Sequence, residues 1–347
     1  MDEKIYGIGI VGCGSISDLH ADVIHRIKNA RLIAASDTDK RKTADFSQKH
    51  GCDSYNDYNE MLKRDDIDII SICTPSLYHA ELAIEAAHMG KHVIIEKPID
   101  ISLDKIDKVI SECRKSDVKL CGILQRRFDE SIVALKETIT SGKLGKLYFG
   151  ACQVKWFRSQ EYYDVSGWRG TWKYDGGGAL MNQSIHYIDL LQYLMGPVEE
   201  IYGRCATLGH ERIETEDLAV ATIKFKNGAL GLIEGTTLAY PGIGGYLDIY
   251  GEKGSVRLRD GKIVFSGFKD GSGVAEEDTD EKCGSGSSKP MDISSDSHLK
   301  QYEDMLEAVR NDKEPFVNGE EAQKAVRIIL GIYESSRTGL PVYFSEK

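Results

Sequence analysis

The first group of residues that could do chemistry is a glycine-rich turn, Gly12-Cys13-Gly14-Ser15-Ile16-Ser17, directly after the apolar run Tyr6–Val11. The spacing Gly12-x-Gly14-x-x-Ser17 is that of a dinucleotide cradle. Gly12 permits the tight turn, Gly14 lets the backbone approach a pyrophosphate, and the small Ser17 stands where a glycine or alanine usually packs helix on strand. The pyrophosphate would rest on the helix N-terminus at Ser15 and Ile16. Asp37 follows Gly14 by 23 residues (37 − 14). An acid there takes the adenosine ribose hydroxyls and repels a 2′-phosphate. Asp39 adds to that charge and no arginine follows before Arg41, so NAD is favoured over NADP. The competing reading is that Asp37 caps the next helix.

The second group lies further along. All three tryptophans, Trp156, Trp168 and Trp172, fall within 17 residues, interleaved with Arg158, Tyr162, Tyr163 and Arg169 and followed by Lys173. Flat aromatics with polar tips suit sugar faces, and arginine suits carboxylate or phosphate by paired hydrogen bonds. The competing reading is an aromatic patch for packing or subunit contact. Gln125-Arg126-Arg127 adds positive charge, which could equally be solvated. Asn182 and His186 follow Asp175-Gly176-Gly177-Gly178. Four residues apart, they share a face if the segment is helical.

These residues need two kinds of scaffold. Strands are predicted at Tyr6–Val11, Arg31–Ser36, Ile67–Cys73, His92–Ile95 and Lys119–Ile123. Helices are predicted between them, at His20–Lys28, Lys40–His50, Tyr78–Met89 and Leu103–Lys115. That alternation means βαβ units with right-handed crossovers, hence a doubly wound parallel sheet. After a helix over Phe128–Ser141, strands are predicted at Lys146–Lys155, Glu199–Ala206, Leu218–Phe225, Ala229–Thr236, Tyr246–Gly251 and Ser255–Arg259. Lys226-Asn227-Gly228 and Asp260-Gly261-Lys262 read as hairpin turns. Asp270–Ser288 reads as an exposed loop, and Ser297–Arg310 and Glu320–Arg337 as closing helices. The expected fold class is an α/β Rossmann domain over 1–124, then an α+β domain over 125–347 with a large, mostly antiparallel open sheet. The C-terminal helices are free to pack back on the first domain.

Composition sets limits. At about 150 residues per domain, 347 residues supply two cores. Lys+Arg number 44 against 55 Asp+Glu, a formal charge of −11. That excess disfavours long polyanions, so no nucleic-acid partner is expected. No run of about 20 apolar residues exists, so no membrane partner is expected either. Met1-Asp2-Glu3-Lys4 does not open a secretory signal. The eight cysteines are scattered without a C-x-x-C pair. No metal site is therefore expected, and a reducing cytoplasm is the simplest setting.

Thr74-Pro75-Ser76, His79 and Glu96-Lys97-Pro98 resemble two motifs of the Gfo/Idh/MocA oxidoreductases. The first is a Thr-Pro-Asn…His element, with Ser76 in place of the Asn; the second is Glu-Lys-Pro. The resemblance spans the chain. It implies an NAD-binding Rossmann half with Thr74, Pro75, His79, Glu96, Lys97 and Gln125 on the cofactor side. It places Glu96 near the nicotinamide ribose and a cis peptide before Pro98. Lys97 would follow a strand's carboxyl end, where its ammonium orients a substrate hydroxyl and stabilises oxyanion character as hydride leaves carbon. The family's usual Asp is Asn182 here, which cannot act as a base. His186 is then the candidate base, with Asn182 holding a hydroxyl. The run from Trp168 to His186 resembles a branch acting at C3 of UDP-N-acetylglucosamine or its uronic acid. On that reading Lys97, Arg126, Arg158, Tyr163, Trp168, Arg169, Asn182 and His186 contact a sugar or nucleotide sugar. The alternatives are an inositol 2-dehydrogenase, a simple aldose or ketose dehydrogenase, and a non-enzymatic NAD-binding sensor. A homodimer or homotetramer is implied.

Overall fold

The computed structural model describes residues 4–274 and 295–344. Nearly all of the expected acidic loop, and Cys283, lie outside the described residues. The chain forms two units, the first of residues 4–125 and 295–323, the second of 126–274 and 324–344.

The first unit is built from β1 (Tyr6–Val11), α1 (Ser15–Arg26), β2 (Ala30–Ser36), α2 (Lys40–His50), β3 (Asp53–Tyr55), α3 (Tyr58–Leu62), β4 (Ile69–Ile72), α4 (His79–His88), β5 (His92–Ile95), α5 (Leu103–Lys115) and β6 (Leu120–Gly122). The strands pair in parallel in the order β3-β2-β1-β4-β5-β6. β1 and β4 are buried at every position, as strands covered on both faces must be, which is why they read as unbroken apolar runs. The strand order reverses between β1 and β4. In such sheets the carboxyl ends at that point open the crevice where a ligand sits. α1 begins at Ser15, five residues (20 − 15) before the expected His20. Gly14 takes the extended N-cap conformation there, and the Ser17 hydroxyl donates to the Gly14 carbonyl.

The second unit holds α6 (Glu130–Thr140), β7 (Leu147–Lys155), α7 (Gln160–Asp164), α8 (Ile185–Met195), β8 (Val198–Ala206), β9 (Leu218–Phe225), β10 (Leu230–Thr236), β11 (Gly244–Gly251), β12 (Gly254–Arg259), β13 (Lys262–Phe268) and β14 (Gly273–Val274). α9 (Asp296–Arg310) belongs to the first unit, α10 (Gly319–Thr338) contains the division at residue 323, and β15 (Val342–Tyr343) closes the second. The nine strands run β14-β13-β12-β11-β7-β10-β9-β8-β15. Every pair is antiparallel except β7 with β10. Both expected hairpins are present. Asp260 and Gly261 take φ of 50° and 83°, the left-handed pair that the tightest hairpin turn requires. α8 packs against β7 and β11 and is buried at all positions but Tyr193. Along β9 the side chains alternate, with Ala219, Ala221, Ile223 and Phe225 inward and Val220, Thr222 and Lys224 outward.

α9 packs on α1 and sends Tyr302, Met305 and Leu306 into the first unit's core, so 295–323 groups with the first unit. The structure differs from expectation in two respects. Asn182 and His186 do not share one regular helix: Ala179–Ser184 winds as a wide π-helical turn, and α-helix begins only at Ile185. β3, β13, β14, β15, α3 and α7 were not expected. Most are short, and β13 has no fixed inward-outward alternation to announce it.

Candidate active site

In the first unit, three loops leave the carboxyl ends of adjacent strands. Gly12, after β1, has φ of 93° and a position where a Cβ would lie 2.8 Å from the backbone of Cys73 and Thr74, after β4. Only glycine lets these two loops touch. Gly14 and Ser15 are exposed and Ile16 half-buried, and nothing lies within 4 Å of where a Gly14 Cβ would stand. No side chain caps α1. Asp37 Oδ2 accepts the Cys13 N–H at 2.8 Å and Oδ1 the Asp39 N–H at 2.8 Å. It therefore ties the tip of the glycine turn to the end of β2. Capping of α2 falls to Asp39, which accepts the N–H groups of Arg41 and Lys42. Thr74 Oγ1 and Gln125 Oε1, at the ends of β4 and β6, are buried without a hydrogen-bond partner. An open helix N-terminus, an acid at the second strand and unsatisfied polar atoms along this edge fit a dinucleotide.

The third loop, after β5, is Glu96-Lys97-Pro98, with a cis peptide before Pro98. Lys97 is half-buried. Glu96 is 7% exposed, and both its oxygens are engaged. Oε2 accepts the Lys97 N–H at 3.0 Å and Oε1 meets His20 Nε2 at 2.9 Å. His20 Nδ1 lies 2.7 Å from the Tyr302 hydroxyl and 3.0 Å from that of Ser71. Burial alone would raise the Glu96 pKa, but the hydrogen bond and charge of His20, with His298 and Lys97, hold it at about 2. Burial likewise opposes a charge on His20, yet Cys73, Tyr302 and Glu96 keep its pKa well above the usual imidazole range. The result is a buried ion pair whose anionic end fixes the Lys97 backbone. His20, Glu96 and His298 are also the one group of metal-ligating spacing among the described residues. His20 and Glu96 are joined directly, as an ion pair is. His79 is 1% exposed and spans two loops, with Nε2 at 2.7 Å from the Thr74 carbonyl and Nδ1 at 2.8 Å from that of Pro98. Burial lowers its pKa.

In the second unit, Asn182 lies in the π-helical turn and His186 in the first turn of α8, 9% exposed. The Asn182 amide donates to Asp175 Oδ1 at 2.9 Å, and Asp175 Oδ2 accepts the Gly170 N–H at 3.0 Å. The expected substrate arginines divide. The Arg158 and Arg169 guanidiniums stand 5.4 and 4.3 Å from the Tyr162 ring centre, and Arg169 also covers Trp168 at 5.3 Å. Arg126 turns instead to the Tyr187 ring and hydroxyl. Arg127 is buried at 1% exposure in a two-bond pair with Asp189, at 2.8 and 2.7 Å, so its charge is spent within the fold. Tyr163 is buried, its hydroxyl donating to Thr237 and its ring against His210. The ring that both guanidiniums approach is its neighbour Tyr162.

Sequence reasoning missed His20 and Tyr302, which hold Glu96 in place. His20 lies on the same α1 face as Ser17, Ala21 and Ile24. A histidine on an apolar face needs a buried partner, and that was the available signal.

The family model described as "Oxidoreductase family, NAD-binding Rossmann fold" matches residues 6–122, and "Oxidoreductase family, C-terminal alpha/beta domain" matches 136–344. The chain is similar to the WlbA dehydrogenase from Bordetella pertussis, solved with NADH and UDP-GlcNAcA. That likeness has 33% identity, a TM-score of 0.87 and coverage of 99% of this chain and 100% of the other. The WlbA dehydrogenase from Chromobacterium violaceum, solved with the same two molecules, gives 30% identity, a TM-score of 0.88 and coverage of 100% and 98%. A myo-inositol 2-dehydrogenase from Thermotoga maritima is 30% identical over 342 residues, 93% of each chain.

Proposed function

The chain belongs to the Gfo/Idh/MocA family of oxidoreductases, with an NAD-binding Rossmann domain, and from that premise we propose that it is a nucleotide-sugar dehydrogenase. Hydride passes between NAD and C3 of a UDP-N-acetylhexosamine or its uronate. The observation that carries this reading is the likeness, over 99% of the chain, to a dehydrogenase solved with NADH and UDP-GlcNAcA. Arg158 and Arg169, both within 5.4 Å of the Tyr162 ring centre, support it, since such a ligand brings a diphosphate and a carboxylate, the anions guanidinium pairs with best.

When bound, NAD supplies the hydride acceptor at nicotinamide C4. The Gly12–Ile16 turn holds the pyrophosphate, and Asp37 meets the adenosine ribose. Lys97 orients the reacting hydroxyl and stabilises the negative charge that grows on its oxygen. His186 takes the proton, assisted by Lys97. Asn182, its amide fixed by Asp175, holds a neighbouring hydroxyl.

A second reading, inositol 2-dehydrogenase, has its own support in the Thermotoga relative. Absorbance at 340 nm decides between them when enzyme and NAD are given UDP-GlcNAcA, UDP-GlcNAc, myo-inositol or glucose in turn. NADH is expected to form with a UDP-sugar. Turnover with the free polyol alone would overturn the nucleotide-sugar reading.

A further inference from the structure

We propose that Glu216 is a positioning residue, its carboxylate gathering the backbone of the glycine turn and thereby setting where Asn182 and His186 are presented. The proposal rests on the functional reading in one respect, that these two residues serve the sugar. Glu216 lies two residues before β9, and 38 positions in sequence separate it from Gly178 in the turn it holds. Its Oε2 accepts the Gly178 N–H at 3.0 Å, and its Oε1 accepts the Leu180 N–H at 2.8 Å and the Tyr333 hydroxyl at 2.9 Å. Its backbone carbonyl accepts the Ala179 N–H at 3.0 Å. Three successive N–H groups at the start of the π-helical turn thus converge on one residue.

These are donors that a helix start ordinarily leaves unsatisfied. A Cβ at Gly178 would strike the Glu216 carbonyl, so the contact accounts for that glycine. Asn182 follows within the same turn, its own N–H donating to the Gly178 carbonyl at 3.0 Å. Wherever Gly178 and Leu180 are held, Asn182 is held.

The grip depends on charge. An ionised carboxylate only accepts hydrogen bonds, whereas protonation turns one oxygen into a donor facing a donor. Burial raises the Glu216 pKa, and the bonds from Leu180, Tyr333 and Gly178 restrain it to about 7. The titratable groups that face it are the Tyr333 phenol from α10, the Cys205 thiol from β8 and, beyond Tyr333, the Asp175 carboxylate. Burial keeps the phenol and the thiol neutral near pH 7. The folded pKa lies above the ordinary glutamate value of 4.5. The stability this group contributes is therefore greatest below that value and declines as pH rises through about 7, while the grip completes only at the upper end.

The test reads the turn directly. In isotope-labelled protein, the backbone amides of Gly178 and Leu180 and the side-chain amide of Asn182 are followed by NMR from pH 5.5 to 8.5. All three should shift with one midpoint near 7. Glu216→Gln should abolish the step, and Tyr333→Phe, which removes a bond to the charged form, should move it to higher pH. The KM for UDP-GlcNAcA should rise about tenfold between pH 8 and pH 6, as expected when only the ionised fraction binds, with the KM for NAD flat. Amides that do not titrate, or a midpoint unmoved by Tyr333→Phe, would overturn the proposal, as would a flat sugar KM beside titrating amides. If neither UDP-GlcNAcA nor UDP-GlcNAc is a substrate, the functional reading fails separately. The Asn182 resonance then still decides whether Glu216 positions the turn, and the KM arm is run with whichever sugar is turned over.

Discussion

Lys97→Met lowers kcat by about 10³-fold while leaving NAD binding intact. Methionine keeps most of the aliphatic stem and loses the ammonium. The backbone at residue 97 should not move, because its N–H is held by Glu96, and Glu96 by His20, independently of the Lys97 side chain. The cradle at Gly12–Ile16 and the Asp37 contacts are on other loops. The loss is then a loss of transition-state charge stabilisation, visible in kcat at 340 nm. An unchanged NAD dissociation constant from protein fluorescence excludes a folding defect. Residual activity within tenfold of wild type would remove Lys97 from the mechanism.

His186→Ala lowers kcat by about 10²- to 10⁴-fold, the range of a lost general base. Asn182 cannot substitute, since an amide neither titrates nor takes up a proton near neutral pH. The step in sugar KM assigned to Glu216 should persist, because that carboxylate is untouched. A variant retaining kcat within tenfold of wild type would assign the proton to another group.

The two predictions rest on residues that differ in how far the sequence exposes them. Lys97 sits in a run of three between a strand and a helix and was legible through the family motif it resembles, while the Gly12–Ser17 turn was legible from its local spacing. The partners that hold them are distant. Tyr302 is 282 residues from His20, and Glu216 is 38 from Gly178. Pairings of that kind are made by sheet order and helix docking, which no local period encodes. Tyr163 illustrates the limit from the other side. Next to Tyr162, it has the same chemistry on paper, but one ring packs on His210 and the other is approached by two guanidiniums. Arg127 and Arg126 divide in the same way, one into a buried pair and one onto Tyr187. The longer strands of both sheets, β13 excepted, were legible because burial imposes its period on them. The π-helical winding at Ala179–Ser184 was not. It accompanies a carboxylate gripping the turn from the loop before β9, and residue spacing inside the segment shows nothing of that.

The central claim is that hydride leaves C3 of a UDP-linked sugar for NAD. UDP-GlcNAcA carrying deuterium at C3, incubated with the enzyme and NAD, tests it most directly. The account predicts that the deuterium is recovered at C4 of the reduced nicotinamide. NADH formed without deuterium would contradict it, as would no NADH from this sugar beside ready turnover of myo-inositol.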